Sequence, residues 1–498
     1  MSRSRIYHAL GLHMHQPPGN LRLLIESNAW EAEQIIRAYE RPVRYALQYR
    51  DVAHLHIGFS GVLLEQLLDP GIVDSYRHIL DIPEMLARYA EADNIELIGM
   101  GYYHPIFPLI PRADWEEQLD RGLSITERAF GRAPRGFWPP EMAFSMEMVP
   151  ALVQAGYEYV VVDGVHVRPE DGISDVFRPY LACHEGVCIN IIPRDRDVSN
   201  AQESGLDPNW FQKEVRWRVE GSARPHETRL VTTWSDGENG GWFRQTHEGS
   251  GFFGHFFAPY MEHFREDDYP ISPVSLSDFL RHTPAEARAQ VQTGAWNIGG
   301  NSGLDLSQWA GSESQRSAVG AVSRLSARYW DLRRRADGST ASVDTVSARL
   351  ERARQLILEA ETSCFLFWGD AWIPHLYERT SQAGQGLDAV EAALSALGAE
   401  TGSLLEPAHP PVDPVPATAH RPAQASGARS GGRGRGGATK ASKQASPKTR
   451  EHKAASLRPG TARTTAPRPK PVRHTGLRRG PGAAAGPGRR GVKRGPRG

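Results

Sequence analysis

Before Gly241 the chain alternates short apolar or β-branched runs with longer amphipathic stretches. The runs are Ile6–Leu12, Val52–Ile57, Ile95–Gly99, Arg135–Trp138, Tyr157–Val162, Val187–Ile192 and Leu230–Trp234. Helical periodicity fills most of the gaps, at Trp30–Tyr49, Val62–Ala92, Asp114–Ala129, Met146–Gln154 and Asn209–Val219. This βαβα rhythm predicts an α/β fold with a parallel sheet, and seven strands at such spacing predict a barrel or near-barrel. The connection from Gly164 to Gly186 lacks a helical pattern.

After Gly241 the rhythm changes. Phe252–Phe264 predicts a short aromatic-rich helix and Gly294–Gly311 a Gly/Asn/Trp loop. Helical patterns follow at Gly311–Trp330, Thr340–Phe367 and Leu387–Leu397. The expected organisation is a catalytic barrel over 1–271, a mainly helical domain over 272–400 that caps it, and a tail over 401–498. The tail is rich in Pro, Ala, Gly, Arg and Lys and has almost no large aliphatic residues, so it is expected to be disordered.

Charge sharpens that division. The formal net charge is zero, yet 21 of the 58 Lys+Arg lie from Pro411 onward, against only two of the 58 acids. The body is therefore acidic and the tail a polycation, suited to non-specific, salt-sensitive contact with nucleic acid or an acidic surface. Three cysteines, Cys183, Cys188 and Cys364, are too few and too odd in number for a disulfide framework and fit a reducing compartment. With no signal-peptide or membrane-span pattern, the expected location is cytoplasmic.

The residues at the strand ends carry the chemistry. His13 and His15 follow the first run, and His56 ends the second. Tyr102, Tyr103 and His104 follow the third, and Glu141 the fourth. Asp163 ends the fifth, Arg194 and Asp195 the sixth, and Asp236 the seventh. In a barrel of this kind the C-terminal strand ends converge on one pocket. In Gly136-Phe137-Trp138-Pro139-Pro140-Glu141 two prolines stop the strand and set an acid on a stiff turn beside an aromatic ring. The plainer reading is a loop Glu capping the helix that starts near Ser145.

Acetal cleavage with retention needs two carboxyl groups roughly 5–5.5 Å apart, one ionised and one protonated. Glu141 and Asp236 are the best pair for this. Glu238 is the rival acid, and Asp236-Gly237 is also an ordinary turn pair. His13 and His15, at i and i+2, share one face of a strand and suit either sugar hydroxyls or a metal. A metal site would want a third ligand, where Gln16 and Pro17 stand. Sugar-orienting roles are expected for His13, His15, His104 and Asp163. Arg194 is expected to clamp a carboxylate or to form a structural ion pair. Trp138, Trp234, Trp242, Trp296, Trp309, Trp368 and Trp372 are candidates for stacking on sugar rings, with Trp138 and Trp234 favoured. No metal or cofactor is expected.

This ordered set resembles glycoside hydrolase family 57, whose members are retaining enzymes active on α-glucans. His13-Met14-His15-Gln16-Pro17 is similar to the family's opening signature, and Gly101-Tyr102-Tyr103-His104-Pro105 to its second motif. Trp138-Pro139-Pro140-Glu141 resembles the nucleophile motif, and Trp234-Ser235-Asp236-Gly237-Glu238 the fourth. Arg194-Asp195-Arg196 with Ser199 is a weaker match. Glu361 to Gly369 resembles the fifth motif, with Cys364 where the family often has an acid. The resemblance implies an incomplete (β/α)7 TIM-like barrel, Glu141 as nucleophile and Asp236 as general acid/base. The implied substrate is an α-glucan or malto-oligosaccharide. The alternatives are a metal-dependent deacetylase or mannosidase on a related barrel, or a non-catalytic glucan-binding protein.

Overall fold

The computed structural model describes residues 6–396 except 245–246, 267–268 and 338–343, so the polybasic tail lies outside the described residues. All seven apolar runs form parallel strands: β1 (Ile6–Met14), β2 (Leu55–Phe59), β3 (Ile95–Gly99), β4 (Gly136–Phe137), β5 (Tyr159–Asp163), β6 (Val187–Arg194) and β7 (Arg229–Asp236). They pair in the order β7-β1-β2-β3-β4-β5-β6. Strand β4 is only two residues long, because Pro139 and Pro140 have no N–H to offer the ladder. Strand β2 runs on to Phe59, so His56 sits in mid-strand. Its ring bonds Leu10 O at 3.0 Å and Leu276 N at 2.9 Å inside the barrel.

Between β6 and β7 no ladder forms among the described residues, and the barrel is incomplete there. Other bonds sew the seam. Asp195 N–H donates to Thr232 O at 2.9 Å, Arg194 Nε to Trp234 O at 2.9 Å, and Trp234 N–H to Ser199 Oγ at 3.2 Å. Trp234 is fully buried, its ring lying across β1 at Gly11. A Cβ there would come within 2.2 Å of the indole, so no other residue fits without displacing the ring.

The Gly164–Gly186 connection makes a β excursion instead of a helix. Val167–Pro169 pairs antiparallel with Ala289–Val291, and Tyr180–His184 pairs antiparallel with β6. The hairpin brings Cys183 opposite Cys188, and the two form a disulfide. This corrects the expectation drawn from the cysteine count, which no longer argues for a reducing compartment.

The Val62–Ala92 pattern breaks into Gly61–Leu67, Pro70–Tyr76 and Ile82–Glu91. Asp69 and Asp81 cap the second and third of these helices, each with a Pro in its first turn. Downstream, Ile271–Pro273 adds a short parallel pairing to β1. The helices Glu313–Asp337, Asp344–Ala360 and Ile373–Ala396 follow. The last begins fourteen residues before the predicted Leu387. One apolar cluster runs from Ala9, Ile98 and Trp138 of the barrel into Leu350, Ile357 and Leu387. Buried Arg354 adds a polar tie, reaching Asp114 at 2.6 Å and Glu117 at 2.5 Å on the helix Arg112–Phe130. Among the described residues no helix is long and apolar enough to cross a membrane.

Candidate active site

Glu141 leaves β4 on the turn that the prolines impose. Its backbone is held at φ 58°, ψ 18°, and Met142 follows at φ 51°. Such left-handed geometry in a residue with a side chain costs about 1–3 kcal/mol and persists only where the surroundings enforce it. Here Trp296 enforces it twice. Its N–H donates to Glu141 O at 3.0 Å, and its indole Nε1–H donates to Glu141 Oε2 at 2.9 Å. Ser363 Oγ donates to the other oxygen, Oε1, at 3.3 Å.

His104, also at positive φ, lies beside the same oxygen, its Nδ1 3.9 Å from Glu141 Oε1 and 2.8 Å from Ser363 Oγ. With the Ser363 hydroxyl hydrogen given to Glu141, His104 donates Nδ1–H to Ser363 and keeps Nε2 bare. Among the described residues no protein group hydrogen-bonds that Nε2.

Asp236 ends β7 in a tight turn. Its Oδ1 accepts from the backbone of Glu238 at 3.1 Å and of Asn239 at 3.0 Å, and its Oδ2 from Asn239 Nδ2 at 2.5 Å. Gly237 N–H donates to His13 O at 2.9 Å, tying this turn to the end of β1. His13 then spans the site. Its Nε2 is 3.9 Å from Asp236 Oδ2, and its ring stacks at 4.0 Å on Trp138 and at 5.9 Å from His104. His15 stacks on the other side of His104 at 3.9 Å and bonds Ser60 Oγ at 2.8 Å through Nδ1. Its Nε2 lies 3.3 Å from Cys364 Sγ. Stacked rings thus line the site, with His13 and His104 each 3.9 Å from one carboxylate.

Burial sets the electrostatics. It pushes the Glu141 carboxyl up to about 7, against the Trp296 hydrogen bond and with help from the Asp236 charge. It holds His15 down at about 3 and His104 well below its usual range, and lowers His13 against the pull of Asp236. These rings are therefore neutral imidazole at neutral pH. Glu238, the rival acid, is buried, and its Oε1 accepts His15 N–H at 2.8 Å. Burial, then the Asp236 charge, drives its carboxyl well above the usual range.

The helical region supplies one wall. Pro105 and Thr362 form an antiparallel bridge, Ser363 N–H donates to His104 O at 3.0 Å, and Thr362 Oγ1 donates to Tyr103 O at 2.6 Å. This clasp delivers Ser363 and Cys364 to the barrel mouth. Buried Glu361 accepts Gln118 Nε2 at 2.7 Å from behind it.

The other sequence candidates fall in different places. Asp163 and Arg194 are buried and meet at 3.4 Å, and Arg196 Nε reaches the same Asp163 oxygen at 2.8 Å. Arg194 lies over the Trp296 ring at 5.7 Å, so this ion cluster backs the residue that holds Glu141. Trp138 presents its face to His13, Trp234 is enclosed in the barrel, and Trp368 is 57% exposed beyond the clasp. Among the described residues no three His, Cys, Asp or Glu side chains converge in a way that would hold a metal ion. Trp296 as a ligand of Glu141 and Ser363 as its second donor escaped the sequence reading. Trp296 stood among the stacking candidates and Ser363 within a recognised segment, but nothing local marks either as a partner of Glu141.

The fold is an incomplete parallel barrel with Glu141 following one of its strands and Asp236 ending another. The chain belongs to glycosyl hydrolase family 57, whose family model matches residues 9–292. It is 26% identical over 293 residues to alpha-amylase 1 of Dictyoglomus thermophilum, covering 58% of this chain and 40% of that one. It is 30% identical over 196 residues to the 4-alpha-glucanotransferase of Thermococcus litoralis, covering 39% and 27%. The chain thus spans less than half the length of these relatives. Among solved structures it is similar to the GH57-type branching enzyme of Pyrococcus horikoshii, with TM-score 0.60 and 16% identity over 78% of this chain and 89% of that one. It is also similar to the alpha-amylase AmyC of Thermotoga maritima, with TM-score 0.56 and 15% identity over 79% and 94%. These likenesses establish the fold.

Proposed function

We propose that this chain is a retaining glycosidase or transglycosylase acting on α-linked glucans, with Glu141 as nucleophile and Asp236 as general acid/base. The observation that carries the reading is the placement of two acids after β4 and at the end of β7, with neutral His104 and His13 each 3.9 Å from one of them. In the first step a Glu141 oxygen forms a bond to the anomeric carbon. The glycosidic C–O bond breaks, and Asp236 passes its proton to the leaving oxygen. In the second step Asp236 takes the proton of water or of a sugar hydroxyl, whose oxygen displaces Glu141. The bare Nε2 of His104 suits a sugar hydroxyl, and the enclosed indole of Trp138 fixes the His13 ring.

The relatives named above as amylases, a glucanotransferase and a branching enzyme support the substrate class. Incubation with a fluorinated glycosyl donor should leave a covalent sugar on the Glu141 peptide, visible by mass spectrometry and absent from E141Q. Turnover of maltoheptaose with no adduct, lost to a chelator and restored by zinc, would overturn the mechanism. Glucan binding with neither adduct nor turnover would make this a binding protein. Products from maltoheptaose and amylose then tell hydrolysis from transfer.

A further inference from the structure

The helix Pro208–Glu220, between β6 and β7, buries Phe211, Val215 and Val219 and turns Trp210 and Trp217 outward. These are two of the most exposed large apolar side chains described, at 61% and 69%. Seven residues apart on a helix, they lie within about 20° of one face and about 10.5 Å along the axis. Lys213 sits between them, its ammonium 5.1 Å from the Trp210 ring centroid. Around the pair the surface is charged, with Arg216 bonded to Glu220 at 3.3 Å and Arg218 to Glu214 at 2.8 Å.

The two indoles leave flat apolar surface in water on one helix face. Each ring buries roughly 150–250 Å² when covered, so the pair supplies well under the roughly 800 Å² per partner of a standard protein interface. Apolar area this small, divided between two flat faces and rimmed by donors and acceptors, instead matches a chain of sugar rings. Each sugar offers a C–H face to an indole and hydroxyls to the charged rim.

We propose that Trp210 and Trp217 form a second, non-catalytic glucan-binding site on the outer wall of the barrel, taking a single malto-oligosaccharide segment of a polymer. This rests on the proposed function for the identity of the sugar. Native electrophoresis of the full chain carrying E141Q, in gels containing glycogen, tests it. The double substitution W210A/W217A should weaken retention at least fivefold, and W210F/W217F should restore part of it. In the otherwise unsubstituted chain, W210A/W217A should leave kcat/KM for maltoheptaose within twofold while lowering turnover of glycogen.

Unchanged retention overturns the inference. So does an unsubstituted chain that cleaves maltoheptaose while its E141Q form is not retained by glycogen. A parent dimer that W210A/W217A splits, seen by light scattering, also overturns it by revealing a protein partner. An unsubstituted chain that does not cleave maltoheptaose, with an E141Q form that does not bind glycogen, overturns the proposed function as well.

Discussion

Glu141 is held in a conformation and a protonation range that few surface acids share. If it must be ionised to attack, kcat/KM should rise with pH through about 7, the value to which burial lifts its carboxyl. Trp296 Nε1–H stabilises the ionised form, so W296F should move that limb upward by about one unit, the effect of a hydrogen bond to a charged group. A limb that stays put in W296F would remove Trp296 from this role.

The same displacement bears on stability. Below about 4.5 the Glu141 carboxyl is protonated in both folded and unfolded chains, and above about 7 it is ionised in both. The folded state therefore loses stability between those values, on the order of 3 kcal/mol. E141Q should consequently raise Tm at pH 8 and not at pH 4, a difference that calorimetry reads directly. His15 works in the opposite sense. Its folded pKa of about 3 lies below that of the unfolded chain, so its contribution is full above about 6.5 and is lost as pH falls toward 3.

At the scale of elements, the apolar runs announced all seven barrel strands, because strands with helices on one face and a filled interior on the other are apolar throughout. The acids at their ends were equally legible, since strand termini in such a barrel face one mouth. Partners supplied from afar were not. Trp296 and Ser363 meet Glu141 across separations of 155 and 222 residues, and no local pattern encodes either contact. Nor did the spacing of Cys183 and Cys188 disclose a bond that depends on the hairpin register. His56 looked like a strand-end residue only because the pattern stopped two residues early. One packing constraint can be checked at this scale. G11A places a methyl group inside the van der Waals shell of the Trp234 ring. Overpacking of this kind costs about 1–3 kcal/mol. Tm should fall accordingly, and an unchanged Tm would show that the indole has room to move.

For the molecule as a whole, the sequence divides more sharply by charge than by length. The polycationic segment after Pro410 holds 21 Lys+Arg and two acids. Deleting it should leave maltoheptaose turnover within twofold, while any retention on a phosphate-bearing column should vanish and in the parent should fall steeply with salt. Turnover lost with the tail would instead make those residues part of the working enzyme.

The clasp between Thr362 and Pro105 has a temporal consequence. A chain is made from its N-terminus, so both acids and every barrel strand are translated before the serine that donates to Glu141. A nascent chain that ends before Ser363 therefore lacks that donor to the Glu141 carboxylate.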